Sequence, residues 1–129
     1  MIAQTIAAGM TLALLATAGA AASEPVSGPK LVELVSGKRV YLAVPFGGEF
    51  PLHYKPGGLV TGDGTRVGLG RFFAPKETGR WWVDGERLCQ KWPTWYKGQT
   101  SCFTITPTGP GRISWTRDDG SSGRARIEG

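Results

Sequence analysis

Residues 79–103 read GRWWVDGERLCQKWPTWYKGQTSCF and contain four of the five tryptophans and both cysteines of the 129-residue chain. Within this stretch, Asp84-Gly85 separates two short runs in which apolar and polar residues alternate. An Asp-Gly pair readily supplies the positive φ angles of a type I′ turn. We therefore predict a β-hairpin in which residues 81–83 pair with residues 86–88 across Asp84-Gly85.

A second hairpin is predicted from the two cysteines. Residues 93–98, PTWYKG, lie between Cys89 and Cys102. This segment is too rich in proline, glycine and aromatic residues to continue either strand. If the cysteines face each other, Leu88 pairs with Phe103 on one face and both sulfurs lie on the other. In an exported chain two cysteines indicate one disulfide, so we expect a Cys89–Cys102 bond on the outer face. Two reduced, buried thiols are the alternative if the chain is not exported.

The beginning of the chain predicts its compartment. Residues 1–22 carry no charged side chain, and an apolar run at 10–16 is followed by three alanines at 20–22. This layout is typical of a secretory signal peptide that is cleaved between Ala22 and Ser23. The apolar run is shorter than the ~20 residues that span a bilayer, which disfavours a membrane anchor. We expect a periplasmic or secreted protein in which residues 23–129 form a single β domain with no transmembrane segment.

The remaining sequence predicts one short helix followed only by strands. Residues 29–35 have the apolar spacing of a helix face, with Pro29 in the first turn and Gly37 at the end. Gly62-Asp63-Gly64 indicates a turn, and Pro51 indicates an edge or a bulge. The predicted strands are residues 39–44, 50–54, 59–61, 66–72, 81–83, 86–88, 103–105, 112–117 and 124–127.

About eight short antiparallel strands with tight turns indicate an all-β fold, either a small lipocalin-like barrel or a sandwich. Alternation along the strands predicts an inward-facing set: Trp81, Val83, Leu88, Trp92, Phe103, Ile105, Ile113, Trp115, Ala125 and Ile127. Arg112, Arg124 and Arg126 are predicted to face solvent. Arg117 falls on the inward parity, so we expect its guanidinium to reach the rim.

One set of motifs resembles a known family. The stretch from Gly79 to Trp92 reads Gly-x-Trp-x-Val-x-Gly-x-x-Leu-Cys-x-x-Trp, and Cys102-Phe103 and Asp119-Gly120 follow it. With Leu34-Val35-Ser36-Gly37 and a Tyr-x-x-x-Gly turn at residues 54–58, the chain resembles a family of short exported bacterial proteins of unknown function. The resemblance implies a domain that begins with a short helix, and it implies no catalytic residues.

The charge of the chain favours anionic partners. The formal net charge is +5 at pH 7, which attracts an acidic glycan, lipid head groups or an acidic protein. The expected extracytoplasmic compartment disfavours nucleic acid as a partner. The alternative is a solvated basic surface that only improves solubility.

No pattern in the sequence indicates catalysis, a cofactor or a metal. His53 is the single histidine and no G-x-S-x-G elbow is present, which disfavours a Ser-His-Asp hydrolase. The carboxylate pairs Glu49 with Asp63 and Asp118 with Asp119 are considered for glycoside hydrolysis, but Asp118-Asp119-Gly120 is typical of a turn. We therefore expect a non-enzymatic protein in which His53 is an ordinary strand residue.

The loop between the cysteines is the candidate binding site. Lys91, Trp95, Tyr96 and Lys97 combine aromatic rings with cations on a segment fixed by the predicted disulfide. Exposed rings stack on sugars or anchor interfaces, although the same rings would also cap the open end of a barrel. We expect a binding module for a glycan, a lipid or a small apolar molecule, at this loop or at the barrel mouth. The alternative is an interaction module that inhibits an extracytoplasmic hydrolase.

Overall fold

Eight antiparallel strands pair in chain order, and the last strand pairs with the first, so the sheet closes into a barrel. The computed structural model describes residues 24–45, 47–67 and 76–129, together with Gly9. The strands are β1 Lys38–Ala43, β2 Glu49–Lys55, β3 Leu59–Asp63, β4 Lys76–Asp84, β5 Arg87–Lys91, β6 Thr100–Gly109, β7 Arg112–Arg117 and β8 Ser122–Glu128. Of the two predicted all-β architectures, the barrel is therefore confirmed and the sandwich is wrong. The predicted signal peptide lies outside the described residues, apart from Gly9.

Within the described ranges the chain forms one α-helix, α1, which covers one end of the barrel. It spans Gly28–Val35 with a proline in its first turn, and Gly37 follows it at a φ of 76°, as predicted. Leu31 and Val35 are fully buried, and the amide of Gly28 donates to the carbonyl of Gly85 at the β4–β5 turn. We call the opposite end, formed by residues 44–45, 64–67, 92–99 and 118–121, the loop end. Among the described residues, no helix has the length and apolar content needed to cross a membrane.

The first predicted hairpin forms, but its turn lies one residue later than expected. Asp84 pairs with Arg87 and Val83 pairs with Leu88, so the two turn residues are Gly85 and Glu86. Gly85 alone has a positive φ, 60°, as at the first central position of a type II′ turn. The expected register would have placed Glu86 opposite Val83 on the inner face, and the observed register avoids burying that carboxylate.

The second hairpin has the predicted register. Cys89 lies opposite Cys102 and Leu88 opposite Phe103, and the two cysteines form a disulfide. Leu88 and Gln90 both line the interior, so Cys89 between them points outward. The outer-face disulfide is therefore confirmed.

The predicted strand at residues 66–72 is wrong where the structure describes it. Residues Gly64–Val67 form a 3-10 helix, and residues 68–75 lie outside the described part of the chain. The carboxylate of Asp63 accepts a hydrogen bond from the Thr65 amide at 3.0 Å, a local contact that competes with strand pairing. Gly62 and Asp63, predicted as a turn, instead extend β3 and pair with Glu77 and Lys76.

The predicted core is confirmed. Six of its ten residues are buried and the other four pack against them half-buried: Trp81, Leu88, Trp92, Ile105, Ile113 and Ala125, then Val83, Phe103, Trp115 and Ile127. Pro51 pairs with Tyr41 of β1 but lies beyond the β2–β3 pairing, which starts at Leu52. It therefore occupies a local edge, where its missing amide hydrogen costs no ladder hydrogen bond.

Candidate functional site

The barrel encloses a cavity of about 670 Å³ that extends from Val35 of α1 to the loop end. Its wall is formed mainly by inward-facing apolar side chains, among them Val40, Leu42, Leu52, Ile105, Ile113 and Trp115. Cavities of roughly 300–1,000 Å³ with such walls are typical of small-molecule sites. The cavity is therefore large enough to hold a small organic ligand.

Tyr54 and Gln90 form a buried polar pair in the cavity wall. The Tyr54 hydroxyl donates to the Gln90 side-chain oxygen at 2.6 Å. Burial, with a smaller contribution from Tyr96, raises the pKa of Tyr54 above its ordinary value of 10.0. Tyr54 is therefore a neutral hydrogen-bond donor at physiological pH, and this pair adds no charge to the interior.

Three indole rings in the barrel lie over glycines of the sheet. A Cβ atom at Gly62 would lie 2.6 Å from the Trp95 ring, one at Gly79 would lie 3.0 Å from Trp92, and one at Gly123 would lie 2.5 Å from Trp115. Real Cβ atoms essentially never approach within 3.0 Å, so a larger residue at Gly62 or Gly123 displaces the ring. At Gly79 the Cβ would also lie 2.5 Å from the Lys91 backbone carbonyl oxygen, which cannot move aside as a side chain can. Strand glycines frequently mark close approaches of this kind. The three glycines thus make room for the tryptophans within the barrel.

The segment that carries Trp95 is held by a buried carboxylate. Glu77 faces inward on β4 with 9% of its surface exposed. Its carboxylate accepts hydrogen bonds from the Thr94 amide at 2.5 Å, the Thr94 hydroxyl at 2.7 Å and the Trp95 amide at 3.1 Å. Burial alone would raise the pKa of Glu77, but these hydrogen bonds outweigh it and the pKa lies below the ordinary 4.5. Glu77 is therefore ionised at neutral pH and fixes the start of the loop.

The next residues of this loop have an unusual backbone. Tyr96 and Lys97 have φ angles of 55° and 57°, and Gly98 continues at 68°. A left-handed conformation at a non-glycine residue costs on the order of 1–3 kcal/mol and frequently occurs at functional sites. The strained pair places both side chains at the cavity wall of the loop end.

Arg117 of β7 packs against the exposed ring of Tyr96. Its guanidinium lies 4.2 Å from the centre of the Tyr96 ring and donates to Ser101 at 2.8 Å and to Asp119 at 3.0 Å. Tyr96 is 49% exposed. Arg117 thus lies at the rim, as predicted, and one face of the Tyr96 ring is already covered by a cation.

The structure brings together three of the four predicted site residues. Trp95, Tyr96 and Lys97 all line the cavity, whereas Lys91 lies on the outer face opposite Arg80 and Thr100. The expectation that Trp95 is an exposed platform is wrong, because its ring packs 4.7 Å from Trp92 and is half-buried. It caps the barrel, which was the alternative for this loop.

Sequence reasoning missed Glu77 and the polar pair of Tyr54 and Gln90. The available signal for Glu77 was its spacing, since Glu77, Gly79 and the inward-facing Trp81 occupy every second position of one strand and therefore share its inner face. A carboxylate at that parity indicates a buried acid that needs hydrogen-bond donors.

The other chemical candidates have ordinary structural roles. Glu49 forms two hydrogen bonds with Arg126, at 2.7 and 2.9 Å, and Asp119 accepts from the Ser121 amide within the predicted turn. His53 is a strand residue of β2, where burial and then Arg39 and Lys55 lower its pKa below 6.5. Within the described ranges, no three His, Cys, Asp or Glu side chains are grouped to hold a metal ion.

No family model, no curated protein and no solved structure matches this chain. The resemblance to short exported bacterial proteins therefore stays a prediction.

Proposed function

We propose that this protein binds a small, largely apolar molecule or a lipid chain inside the barrel. The observation that carries the proposal is the cavity of about 670 Å³ with its apolar wall. A ligand that loses roughly 300–400 Å² of apolar surface gains about 8–10 kcal/mol before the loss of its own freedom is subtracted. Since a micromolar Kd corresponds to about 8 kcal/mol, we expect affinities in the micromolar range or weaker.

The loop end provides groups that a bound molecule would meet on entry. Trp95 packs edge-on against Phe50 with ring centres 5.6 Å apart, and both rings line the cavity together with Lys97. Lys97 is exposed, so it offers a positive charge to a polar group that remains at the rim. A molecule with an apolar body and a polar or anionic end fits this arrangement best.

Of the three ligand classes that the sequence suggested, a glycan is the least supported. Sugar binding by stacking needs an open aromatic face. Trp95 is packed against the core, and Arg117 covers a face of Tyr96. The apolar volume lies below these rings, which favours a lipid or a small apolar molecule.

The test uses the apolar dye N-phenyl-1-naphthylamine, whose fluorescence rises when it leaves water. We expect saturable binding with one site per chain. Leu42→Glu places a charge in the cavity wall at a half-buried position and weakens binding at least tenfold, because the ligand then has to desolvate a carboxylate. The matched control is Thr116→Glu, an exposed position on β7 that does not line the cavity, and it leaves the affinity unchanged.

Leu42→Trp is a second variant that adds volume instead of charge and also weakens binding. The absence of saturable binding by the unmodified protein contradicts the proposal. Equal affinity in Leu42→Glu, Leu42→Trp and the unmodified protein contradicts it as well, since the dye would then bind elsewhere.

A further inference from the structure

Among the strand residues that the structure describes, two large apolar side chains are exposed on the outside of the barrel. Leu59 on β3 is 42% exposed and Trp82 on β4 is 40% exposed. Neither lines the interior cavity. They lie on the outer side of neighbouring strands, separate from the site proposed above.

Cations surround this apolar pair. In the strand register Leu59 lies opposite Arg80, Arg80 lies opposite Lys91, and on the other side Leu59 lies opposite Lys55. Neighbouring strands are about 4.8 Å apart, so these side chains form one continuous row. Trp82 is two residues beyond Arg80 and points to the same side of the sheet. We call Lys55, Leu59, Arg80, Trp82 and Lys91 the basic face.

The charges of the basic face are not neutralised locally. Among the described residues, none of its three cations forms an ion pair. The next outward-facing acid on β4 is Asp84, which lies opposite Arg87 rather than opposite a cation of the row. The formal net charge of the chain is +5, and the three cations of the basic face supply a large share of that excess positive charge.

We propose that the basic face docks the protein on an anionic phospholipid bilayer. Each Lys or Arg near such a surface contributes about a fivefold increase in partitioning. Tryptophan favours the interface between head groups and acyl chains, and an exposed leucine gains contact with the acyl region. The exposed Leu59 indicates a bilayer and not an acidic glycan as the anionic partner. A bilayer offers an apolar phase in which this side chain can be buried, whereas a glycan does not.

This docking is independent of ligand binding in the cavity. Together the two would allow a barrel adsorbed to a membrane to exchange a lipid chain with it, but either property can exist without the other. Docking is therefore measured on the unmodified chain and on variants outside the cavity, without any added ligand.

The experiment measures cosedimentation with vesicles of phosphatidylcholine that contain about one third phosphatidylglycerol, an anionic surface. We expect binding that is lost on pure phosphatidylcholine vesicles and that falls as salt is raised through the range where the Debye length shrinks from about 10 to 3 Å. The double change Arg80→Glu with Lys91→Glu lowers the partition coefficient at least tenfold. Trp82→Thr lowers it severalfold at unchanged net charge.

The matched control is Arg124→Glu with Lys30→Glu, which makes the same change in net charge at exposed positions on β8 and α1. We expect this control to lose clearly less binding than the Arg80 and Lys91 variant. Equal losses in the two double variants overturn the proposal, because net charge alone would then explain adsorption. An unmodified protein that does not sediment with anionic vesicles also overturns it, and thermal melting confirms that each variant is folded.

Discussion

Replacing Glu77 by Gln removes the charge that holds the loop between the cysteines while keeping the side-chain volume. In the native protein one carboxylate accepts three hydrogen bonds from Thr94 and Trp95. The carboxamide oxygen can still accept from both amides, which share Oε1 in the native protein, while the NH₂ group faces the Thr94 hydroxyl and reverses that hydrogen bond. All three bonds thus lose their charged acceptor in a site where Glu77 is 9% exposed.

Hydrogen bonds to a charged group contribute about 1.5–3 kcal/mol each. Because the three bonds share one carboxylate and survive only as weaker neutral hydrogen bonds in the variant, we expect Glu77→Gln to lower the free energy of unfolding by about 2–4 kcal/mol. Urea unfolding followed by tryptophan fluorescence measures this value. Hydrogen exchange should also show that the amides of Thr94 and Trp95 lose protection, which ties the loss to the loop.

The same carboxylate predicts a pH dependence. The pKa of Glu77 lies below its ordinary 4.5 in the folded protein, so its contribution is present above that value and is lost as pH falls through the folded-state pKa. The difference in stability between the native protein and Glu77→Gln should therefore shrink in acid. Glu33→Gln, at an exposed position of α1, is the matched control and should change stability by less than about 0.5 kcal/mol. If Glu77→Gln is as stable as this control at pH 7, the anchoring role assigned to Glu77 is refuted.

Three further predictions concern the disulfide and the packing of the indole rings. Unfolded but unreduced protein should show no free thiol at Cys89 or Cys102, and reduction should destabilise the fold by about 3 kcal/mol; two labelled thiols would contradict the disulfide. Gly62→Ala should destabilise by about 1–3 kcal/mol because it displaces an indole ring, whereas Gly109→Ala, which meets open space, should have little effect in the same urea titration. Trp95→Ala should destabilise by about 2–4 kcal/mol, since the ring is half-buried; a loss below about 1 kcal/mol would restore the surface-loop interpretation.

Local signals predicted the local structure well. Pro29 and Gly37 bracket α1 because each has a backbone preference that acts without tertiary contacts. Opposed Cys89 and Cys102 predicted the second hairpin because strand pairing leaves only one register in which the two sulfurs meet. The turn lies one residue later than predicted, at Gly85-Glu86. The free-energy cost of burying the Glu86 carboxylate outweighs the local preference of Asp-Gly for the two turn positions.

Features that depend on distant parts of the chain were not predictable in the same way. Closure of the barrel rests on pairing between β1 and β8, which no local pattern encodes. The burial of Trp95 depends on the space that Gly62 leaves on β3. The sequence pattern around Gly62 indicated a turn, so this contact was not predicted. The cavity itself is the space that the inward side chains leave unfilled, which alternation along single strands does not reveal.

The measurement that tests the central claim most directly is the location of a bound probe by nuclear magnetic resonance. With N-phenyl-1-naphthylamine bound, we expect intermolecular nuclear Overhauser effects between the dye and the buried methyl groups of Val40, Leu88 and Ile105, all of which line the cavity. Contacts only with the exposed Leu59 or Val32 would place the dye on the outside of the barrel and contradict the account.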